Sequence, residues 1–269
     1  MIILLIVLCL LLLYIWAILP TARQNEFAQY EQLNFAHRGL HGDGVCENSL
    51  TAFSLACEKG YAIELDVQRT KDDQLVVFHD ANLVRLCQQS LIVNDLTYQE
   101  LCQYALPDGS TIPLFSQVLS LVAGRVPLLV EIKRYAGVTA TTQLTLDALS
   151  SYKGKYIIES FDPFCLRYLK KNAPHIIRGQ LSSAETTTEV SCVTAFLMRH
   201  LLINCISRPN FIAYGVRAPL PWNIQLLRKW RKPHFGVWTI RDEATYIAQK
   251  NTHVDFTIFE NIPNMPTKG

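Results

Sequence analysis

Two acidic residues separated by a single residue are the clearest chemical signal in this chain. Glu64 and Asp66 flank Leu65 inside an apolar run, and on a strand residues i and i+2 project from the same face. Neighbouring carboxylates in a low-dielectric interior repel each other unless one is protonated or a cation lies between them. Glu131, in a later apolar run, would add a third oxygen ligand, so the three residues predict a site for one Mg²⁺ or Ca²⁺ ion. A solvated outer face is the alternative, which the apolar neighbours disfavour.

Two histidines are candidates for proton transfer at the same site. His37 ends the first strand-like run, and His79 lies near the end of another. Cleavage of a phosphodiester needs one group that takes a proton from the nucleophile and one that gives a proton to the leaving oxygen, and imidazoles can do both near neutral pH. A single histidine is more often structural, but a pair at strand ends beside acidic residues favours catalysis.

Basic and polar residues next to these motifs predict an anion site. Arg38 follows the first histidine, and a guanidinium can pair with phosphate oxygens at two points. Lys133 lies two residues after the third acid, on the same face of the predicted strand, where it either binds phosphate or closes an internal salt bridge. Glu47 and Asn48 precede a predicted helix, and helix capping explains them in isolation.

Eight strand-like runs alternate with amphipathic helical patterns and indicate the elements that position these residues. Each run is short, rich in β-branched or aromatic residues and bounded by Gly, Pro, Asp or Lys. The predicted strands are Leu33–His37, Ala62–Val67, Val126–Ile132, Tyr156–Ser160, Ile176–Leu181, Phe211–Val216, Phe235–Ile240 and Val254–Phe259. The alternation predicts an α/β fold, a (β/α)8 TIM barrel, whose functional residues lie at the carboxyl ends of the strands. A doubly wound open sheet is the competing fold, but no G-x-G-x-x-G turn follows the first strand.

One segment interrupts the alternation. Leu75–Asp80 is a further strand-like run directly after the second strand, and an irregular stretch follows it as far as Pro113. A small insertion on the barrel rim explains both features, since loops at the carboxyl ends of barrel strands commonly carry function.

The opening of the chain predicts a membrane anchor. Met1–Pro20 is almost wholly apolar, and the first charged side chain is Arg23. A helix of about 20 residues spans roughly 30 Å, the thickness of the bilayer core, so we expect a transmembrane helix over residues 1–22 in a single-pass membrane protein. A cleaved signal peptide is the alternative, although no Lys or Arg precedes the run. Arg23 favours a catalytic body on the cytoplasmic side, with the extracytoplasmic side left open.

The charge balance argues against nucleic acid as a partner. Charged residues make up 18% of the 269 residues and the formal net charge is +2, so the chain has neither an acidic tail nor a polycationic surface. The sequence also lacks the G-x-S-x-G elbow of an α/β serine hydrolase.

Taken together, the motifs resemble those of the glycerophosphodiester phosphodiesterases. They are His37-Arg38-Gly39, Glu47-Asn48-Ser49-Leu50-Thr51-Ala52-Phe53, Glu64-Leu65-Asp66-Val67, His79-Asp80 with Leu83 and Arg85, and Glu131-Ile132-Lys133, in the family's order and at similar spacing. The resemblance implies a barrel domain over residues 33–265 that hydrolyses glycerophosphodiesters to sn-glycerol 3-phosphate and an alcohol, with one divalent cation. It also implies that the glycerol hydroxyl next to the phosphate attacks first and gives a cyclic intermediate.

Carried over residue by residue, the resemblance implies a role for each motif. These roles are metal ligation by Glu64, Asp66 and Glu131, acid–base catalysis by His37 and His79, phosphate binding by Arg38 and Lys133, and support of the site by Glu47 and Asn48. One departure lies after the last strand, where Phe259-Glu260-Asn261-Ile262-Pro263 replaces the family's Thr-Asp-x-Pro-like turn. This leaves the choice of substrate open.

Two other functions compete with this interpretation. A lysophospholipase D-type enzyme would cleave membrane lysophospholipids and place their acyl chain on an apolar rim, for which Leu114, Phe115, Phe211 and Trp222 are candidates that core packing explains equally well. A binding protein without turnover would have lost an acid or a histidine of the set, and all of them are present. The oligomeric state stays open.

Overall fold

A closed barrel of parallel strands forms the body of the protein. The computed structural model describes residues 2–21, 23–135, 137–184, 191–217, 219–252 and 254–268. The strands in these ranges are β1 (Asn34–Ala36), β2 (Ala62–Arg69), β3 (Leu75–Val77), β4 (Leu128–Ile132), β5 (Tyr156–Ser160), β6 (Arg178–Ser182), β7 (Phe211–Gly215), β8 (His234–Ile240) and β9 (Phe256–Phe259). They follow the order β1-β9-β8-β7-β6-β5-β4-β2, and a parallel pairing of β1 with β2 closes the ring. The predicted (β/α)8 barrel is confirmed.

Helices alternate with these strands along the chain. In the described ranges they are α1 (Ile2–Ile18), α2 (Gln24–Phe27), α3 (Leu50–Lys59), α4 (Val84–Cys87), α5 (Tyr98–Leu101), α6 (Phe115–Val122), α7 (Val138–Ser150), α8 (Pro163–Asn172), α9 (Cys192–Arg199), α10 (Asn204–Ser207), α11 (Trp222–Arg231) and α12 (Glu243–Lys250). Several begin at a residue whose side chain accepts a backbone N–H, such as Ser49 before α3 and Asp162 before α8. This capping fixes where the helix leaves the preceding loop.

The alternation of side chains along β2 separates packing from chemistry. Ile63, Leu65 and Val67 belong to the apolar layer between the strands and the surrounding helices. Glu64 and Asp66 therefore point to the inside of the barrel, because successive side chains of a strand face opposite sides. In the parallel register Asp66 is the partner of Glu131 on β4. The acids thus meet within the ring of strands, and a solvated outer face is excluded.

The floor of the barrel is apolar and largely aromatic. Phe27 of α2 is fully buried and packs against Phe211 and Phe256, with ring centroids 5.6 and 6.1 Å apart. Phe35 of β1 lies against Phe256 at 5.4 Å. These rings close the amino end of the barrel, so the polar groups above them are reached only from the carboxyl ends of the strands.

The interruption in the sequence pattern is a small substructure of its own. β3 runs antiparallel to β2, and α4 and α5 follow it. A separate apolar cluster holds this segment together, formed by Cys46, Val76, Phe78, Leu83, Val93, Leu101, Leu106 and Ile112. The segment ends before α6, and it places the residues that follow β3 over the mouth of the barrel.

The predicted membrane span is wrong. The first helix, α1, comprises 17 residues, about 26 Å at 1.5 Å per residue and less than the roughly 30 Å of a bilayer core. It ends at Ile18, whose carbonyl accepts a hydrogen bond from Asn204 Nδ2 at 2.8 Å, and Pro20 follows, a residue that disfavours helix immediately before it. Among the described helices, none is long and apolar enough to cross a membrane. The single-pass membrane localisation is therefore overturned.

Candidate active site

Three carboxylates from two adjacent strands meet inside the mouth of the barrel. Glu64, Asp66 and Glu131, here called the acid cluster, are 2%, 1% and 7% exposed. One oxygen of each lies within 4.8 Å of the others. Opposed oxygen ligands of a single Mg²⁺ ion lie roughly 4 Å apart and those of Ca²⁺ roughly 5 Å apart. The acid cluster can therefore hold one hard divalent cation, and its oxygens suit either ion.

Lys133 and Arg38 compensate part of this negative charge. Lys133 Nζ lies 2.9 Å from Asp66 Oδ1 and 2.8 Å from Glu131 Oε1. Arg38 Nη1 donates to Glu47 Oε1 at 2.6 Å, and its Nε lies 3.3 Å from Asp66 Oδ2. Both of the predicted phosphate-binding side chains thus reach the site, and carboxylates hold both in place.

Charge and burial act differently on the three acids. Burial raises the pKa of Glu64 well above its usual range, and the neighbouring carboxylates raise it further. Burial also opposes ionisation of Asp66, but Lys133 above all holds its pKa well below the usual range. Burial raises the pKa of Glu131 even though Lys133 lowers it. Ionisation of all three carboxyls would give the cluster more negative charge than its two cations offset, a condition that a divalent ion would relieve.

The loop after β1 supports the acid cluster through its backbone. Arg38 N–H donates to Glu64 Oε2 at 2.9 Å, and Asn48 Nδ2 donates to Asp66 Oδ2 at 2.8 Å. Asn48 has a φ of 56°, a left-handed conformation that asparagine tolerates better than most residues. Gly39 has a φ of 81°, and a Cβ there would lie 2.8 Å from Ala52 Cβ. The turn therefore needs glycine in order to pack against α3.

His37 is held as a neutral ring with one free acceptor. Its Nδ1 lies 3.0 Å from Glu260 Oε2, and its Nε2 lies 4.0 Å from Glu64 Oε2. The hydrogen bond from His37 lowers the pKa of Glu260 to about 2, so the carboxylate accepts the Nδ1–H. Burial lowers the pKa of His37 to about 4, although Glu260 raises it. Near neutral pH, Nε2 is therefore the proton-accepting atom of this ring.

His79 also lies beside a carboxylate, at the end of a chain of ion pairs, but its side chain is more exposed than that of His37. Its Nδ1 lies 2.7 Å from Asp80 Oδ1, and Arg85 Nε lies 2.7 Å from Asp80 Oδ2. Arg85 also donates to both oxygens of Glu47, at 2.6 and 2.9 Å. Burial raises the pKa of Asp80, but hydrogen bonds from His79 and Arg85 outweigh burial and lower this pKa to about 2. The ionised Asp80 therefore fixes the orientation of the His79 ring.

These groups surround one small cavity of about 210 Å³. Its lining includes His37, Arg38, Glu64, His79 and Glu131. All nine predicted site residues lie in or beside it, since Asp66, Lys133, Glu47 and Asn48 contact the lining residues directly. The structure thus brings the predicted set together, while the roles of its members stay predictions.

Two site residues escaped the reasoning from sequence. Glu260, the partner of His37, follows β9, and the rule that functional residues lie at carboxyl ends of strands would have found it. Glu159 on β5 lines the cavity and is paired in register with Glu131. Its signal was an acidic residue inside a predicted apolar strand. Burial and the Glu64 carboxylate raise the pKa of Glu159 well above its usual range.

A second, larger cavity of about 870 Å³ adjoins the first. The two share His79, Glu131, Phe161, Ser183 and Trp238 as lining residues. The larger one continues over apolar side chains, among them Phe164, Met198 and Ile203. The four rim candidates named from sequence do not line it: Phe115 and Phe211 are fully buried, Leu114 packs against the insertion, and Trp222 is exposed.

Comparison with known proteins agrees with the geometry. The model of the glycerophosphoryl diester phosphodiesterase family matches residues 37–262. A glycerophosphodiester phosphodiesterase of Bacillus altitudinis is 35% identical over 156 residues, which cover 53% of this chain and 63% of that protein. One of Caldanaerobacter subterraneus is 35% identical over 162 residues, which cover 55% and 66%. The chain thus spans just under two thirds of the length of these relatives.

The fold has counterparts among solved structures. A phosphodiesterase of Oleispira antarctica, solved in complex with the product sn-glycerol-3-phosphate, superposes with a TM-score of 0.72 at 23% identity, covering 87% of this chain and 95% of that one. At this identity the likeness supports the fold. With the family match extending over most of the barrel and over every predicted site residue, the chain belongs to the glycerophosphoryl diester phosphodiesterase family.

Proposed function

We propose that this protein hydrolyses glycerophosphodiesters to sn-glycerol 3-phosphate and an alcohol, with one divalent cation, in glycerophospholipid metabolism. The observation that carries the proposal is that two histidines, each with its Nδ1 against a carboxylate, line one small cavity together with the acid cluster. The relatives named glycerophosphodiester phosphodiesterase and the product-bound Oleispira antarctica structure support the same substrate class.

The two histidines divide the proton transfers. The glycerol hydroxyl next to the phosphate gives its proton to His37 Nε2 and bonds to phosphorus. The bond from phosphorus to the leaving alcohol breaks, and His79 gives a proton to the leaving oxygen. Water then opens the cyclic ester, with the two rings in reversed roles.

The remaining residues hold charge. Glu64, Asp66 and Glu131 would hold a Mg²⁺ or Ca²⁺ ion, which when bound polarises phosphate oxygens and offsets their negative charge. Arg38 and Lys133 lie at the edge of the acid cluster, where their N–H groups would be available to phosphate oxygens. Glu47 and Asn48 keep Arg38 and Asp66 in position.

The direct test is release of sn-glycerol 3-phosphate by the full chain from glycerophosphocholine and glycerophosphoethanolamine, with Mg²⁺, Ca²⁺ or a chelator. We expect release only with a divalent ion, and a loss of about 10²- to 10⁴-fold in His79→Ala, the usual range for an acid–base group. His175→Ala, at an exposed position outside the cavity, is the matched control and should keep full activity. Undiminished release in chelator or in His79→Ala would refute the proposal.

A second candidate, lysophospholipase D-type cleavage, is favoured by one observation. The apolar cavity of about 870 Å³ is joined to the catalytic one through shared residues and offers space for an acyl chain. Preference for a lysophospholipid over glycerophosphocholine would establish this activity. Met198→Trp, which narrows the larger cavity alone, should then lower the rate on the lysophospholipid and leave glycerophosphocholine unaffected.

A further inference from the structure

Glu159 is a buried carboxyl that the catalytic steps above do not use. It is 1% exposed, and its side chain lines the catalytic cavity. Its Oε2 is enclosed, and in the described part of the chain no protein group donates a hydrogen bond to it. A buried carboxyl oxygen without a donor costs free energy, so a ligand group that donates to it would remove a standing penalty.

Neither the acid cluster nor an ion pair explains Glu159. The three oxygens that lie within 4.8 Å of one another belong to Glu64, Asp66 and Glu131. Lys133 is the cation that lowers the pKa of Glu159. Its Nζ, however, is paired with Asp66 Oδ1 at 2.9 Å and with Glu131 Oε1 at 2.8 Å. Glu159 therefore stands beside the cluster, and its Oε2 has no hydrogen-bond donor among the described residues.

The surroundings of Glu159 limit what can approach it. Leu181 and Phe161, which line the same cavity, are apolar, and a cavity of about 210 Å³ lies below the roughly 300 to 1,000 Å³ of pockets for drug-sized ligands. A short carbon chain that ends in a hydroxyl fits such a place. Glu159 is on β5, the next strand after the β4 strand that carries Glu131, and neighbouring strands lie about 4.8 Å apart. A substrate group that donates to Glu159 would therefore lie further from the phosphate than the groups that contact the acid cluster.

We propose that Glu159 determines specificity by accepting a hydrogen bond from the terminal hydroxyl of the glycerol moiety. This rests on the proposed function, in which the inner hydroxyl reacts at phosphorus and the terminal one lies a carbon further away. The enzyme thereby recognises glycerol itself, as distinct from any alcohol with a hydroxyl next to the phosphate.

Hydrolysis of two substrates tests the contact. One is glycerophosphocholine, and the other carries propane-1,2-diol in place of glycerol, so that it keeps the reacting hydroxyl and lacks the terminal one. Glu159→Ala should lower kcat/KM on glycerophosphocholine by about tenfold, the loss of one hydrogen bond, and should not lower it on the analogue. Glu159→Gln, which keeps an acceptor oxygen, should lose less. Leu181→Val, which alters an apolar wall of the same cavity, should affect both substrates equally.

A binding measurement separates this inference from the proposed function. Titration calorimetry with sn-glycerol 3-phosphate and with propane-1,2-diol 1-phosphate, in Mg²⁺ or Ca²⁺, requires no turnover. Tighter binding of the glycerol compound by the unmodified chain, lost in Glu159→Ala, supports the contact even if hydrolysis fails. Equal binding of both compounds, or an equal loss on both in Glu159→Ala, overturns it. An effect of Glu159→Ala that follows choline against ethanolamine, and not the glycerol hydroxyl, also overturns it.

Discussion

Two clusters of side chains that can bind a metal lie at opposite ends of the barrel, and the cluster at the carboxyl end has the properties of a reactive site. The acid cluster lies at the carboxyl ends of the strands. Glu31, His234 and Asp255, here called the amino-end cluster, lie before β1, at the start of β8 and before β9, and their ligand atoms are also within 4.8 Å of one another. The residue types alone do not separate the two.

The surroundings of the two clusters distinguish them. In the amino-end cluster, Asp255 accepts the Phe235 N–H at 2.6 Å, and the His234 ring stacks on Phe27 with centroids 4.1 Å apart. His234 Nδ1 lies 3.9 Å from both acids, one of which is largely exposed. Packing and a backbone hydrogen bond place these groups. The acid cluster is enclosed, and its carboxyl groups repel one another when they are ionised, so keeping them together lowers the stability of the fold. Buried groups of like charge therefore distinguish the acid cluster from the amino-end cluster.

Removing a histidine from each end gives the largest expected difference. His37→Ala should lower kcat by about 10²- to 10⁴-fold, because it removes the proton acceptor. His234→Ala should keep activity within about twofold when rates are normalised to folded protein, since this buried ring packs on Phe27 at the far end of the barrel and acts on stability and not on chemistry. Steady-state kinetics on glycerophosphocholine measure both. Similar losses in the two variants would break the distinction between the ends.

Stability should respond with opposite signs at the two ends. In chelator, Glu64→Gln should raise the free energy of unfolding by about 1–3 kcal/mol, because it removes a buried carboxyl whose ionisation the fold penalises and keeps an oxygen that accepts the Arg38 N–H. Asp255→Ala should lower it by about 1–3 kcal/mol, because it leaves the buried Phe235 N–H without its acceptor. Urea denaturation at pH 7 measures both changes. A destabilised Glu64→Gln would mean that the acid cluster is balanced without a cation.

Much of this arrangement could be predicted from sequence, because local patterns carry it. The period-two alternation around Glu64 and Asp66 predicted their common face, and the predicted strand Tyr156–Ser160 has the observed bounds. Residues placed at strand ends meet because parallel strands share a direction. Contacts between the first and the last strand of the closed barrel could not be predicted from local sequence. Glu260 reaches His37 because β9 lies beside β1, a neighbourhood that depends on closure and not on local sequence.

The first helix shows the limit of hydropathy. Apolar composition predicted a span, but the length of a helix also depends on what ends it. The Ile18 carbonyl accepts a hydrogen bond from Asn204 at 2.8 Å, and the Trp16 carbonyl accepts one from Arg208 at 2.7 Å. These donors lie 186 and 192 positions further along the chain. No window of local sequence contains them.

We expect the smallest effect on stability at the outer edge of the catalytic end, where the side chains are partly exposed to solvent. Asp80 and Arg85 are 21% and 45% exposed at the side chain, so solvent screens their attraction. Hydrogen bonds hold the pKa of folded Asp80 at about 2, below the ordinary value near 3.9 of an unfolded chain. A depressed pKa stabilises the fold above the unfolded value, and that contribution disappears as the pH falls through the folded one. Asp80→Asn should therefore lower the free energy of unfolding by about 1 kcal/mol between pH 5 and 7 and by progressively less from about pH 4 towards pH 2.

Asp73→Asn, which breaks a more exposed pair with Arg69, is the control and should change the free energy of unfolding little at any pH. Urea denaturation across this pH range measures the difference, and a cost for Asp80→Asn that stays constant down to pH 2 would show that its carboxylate is not held by this network.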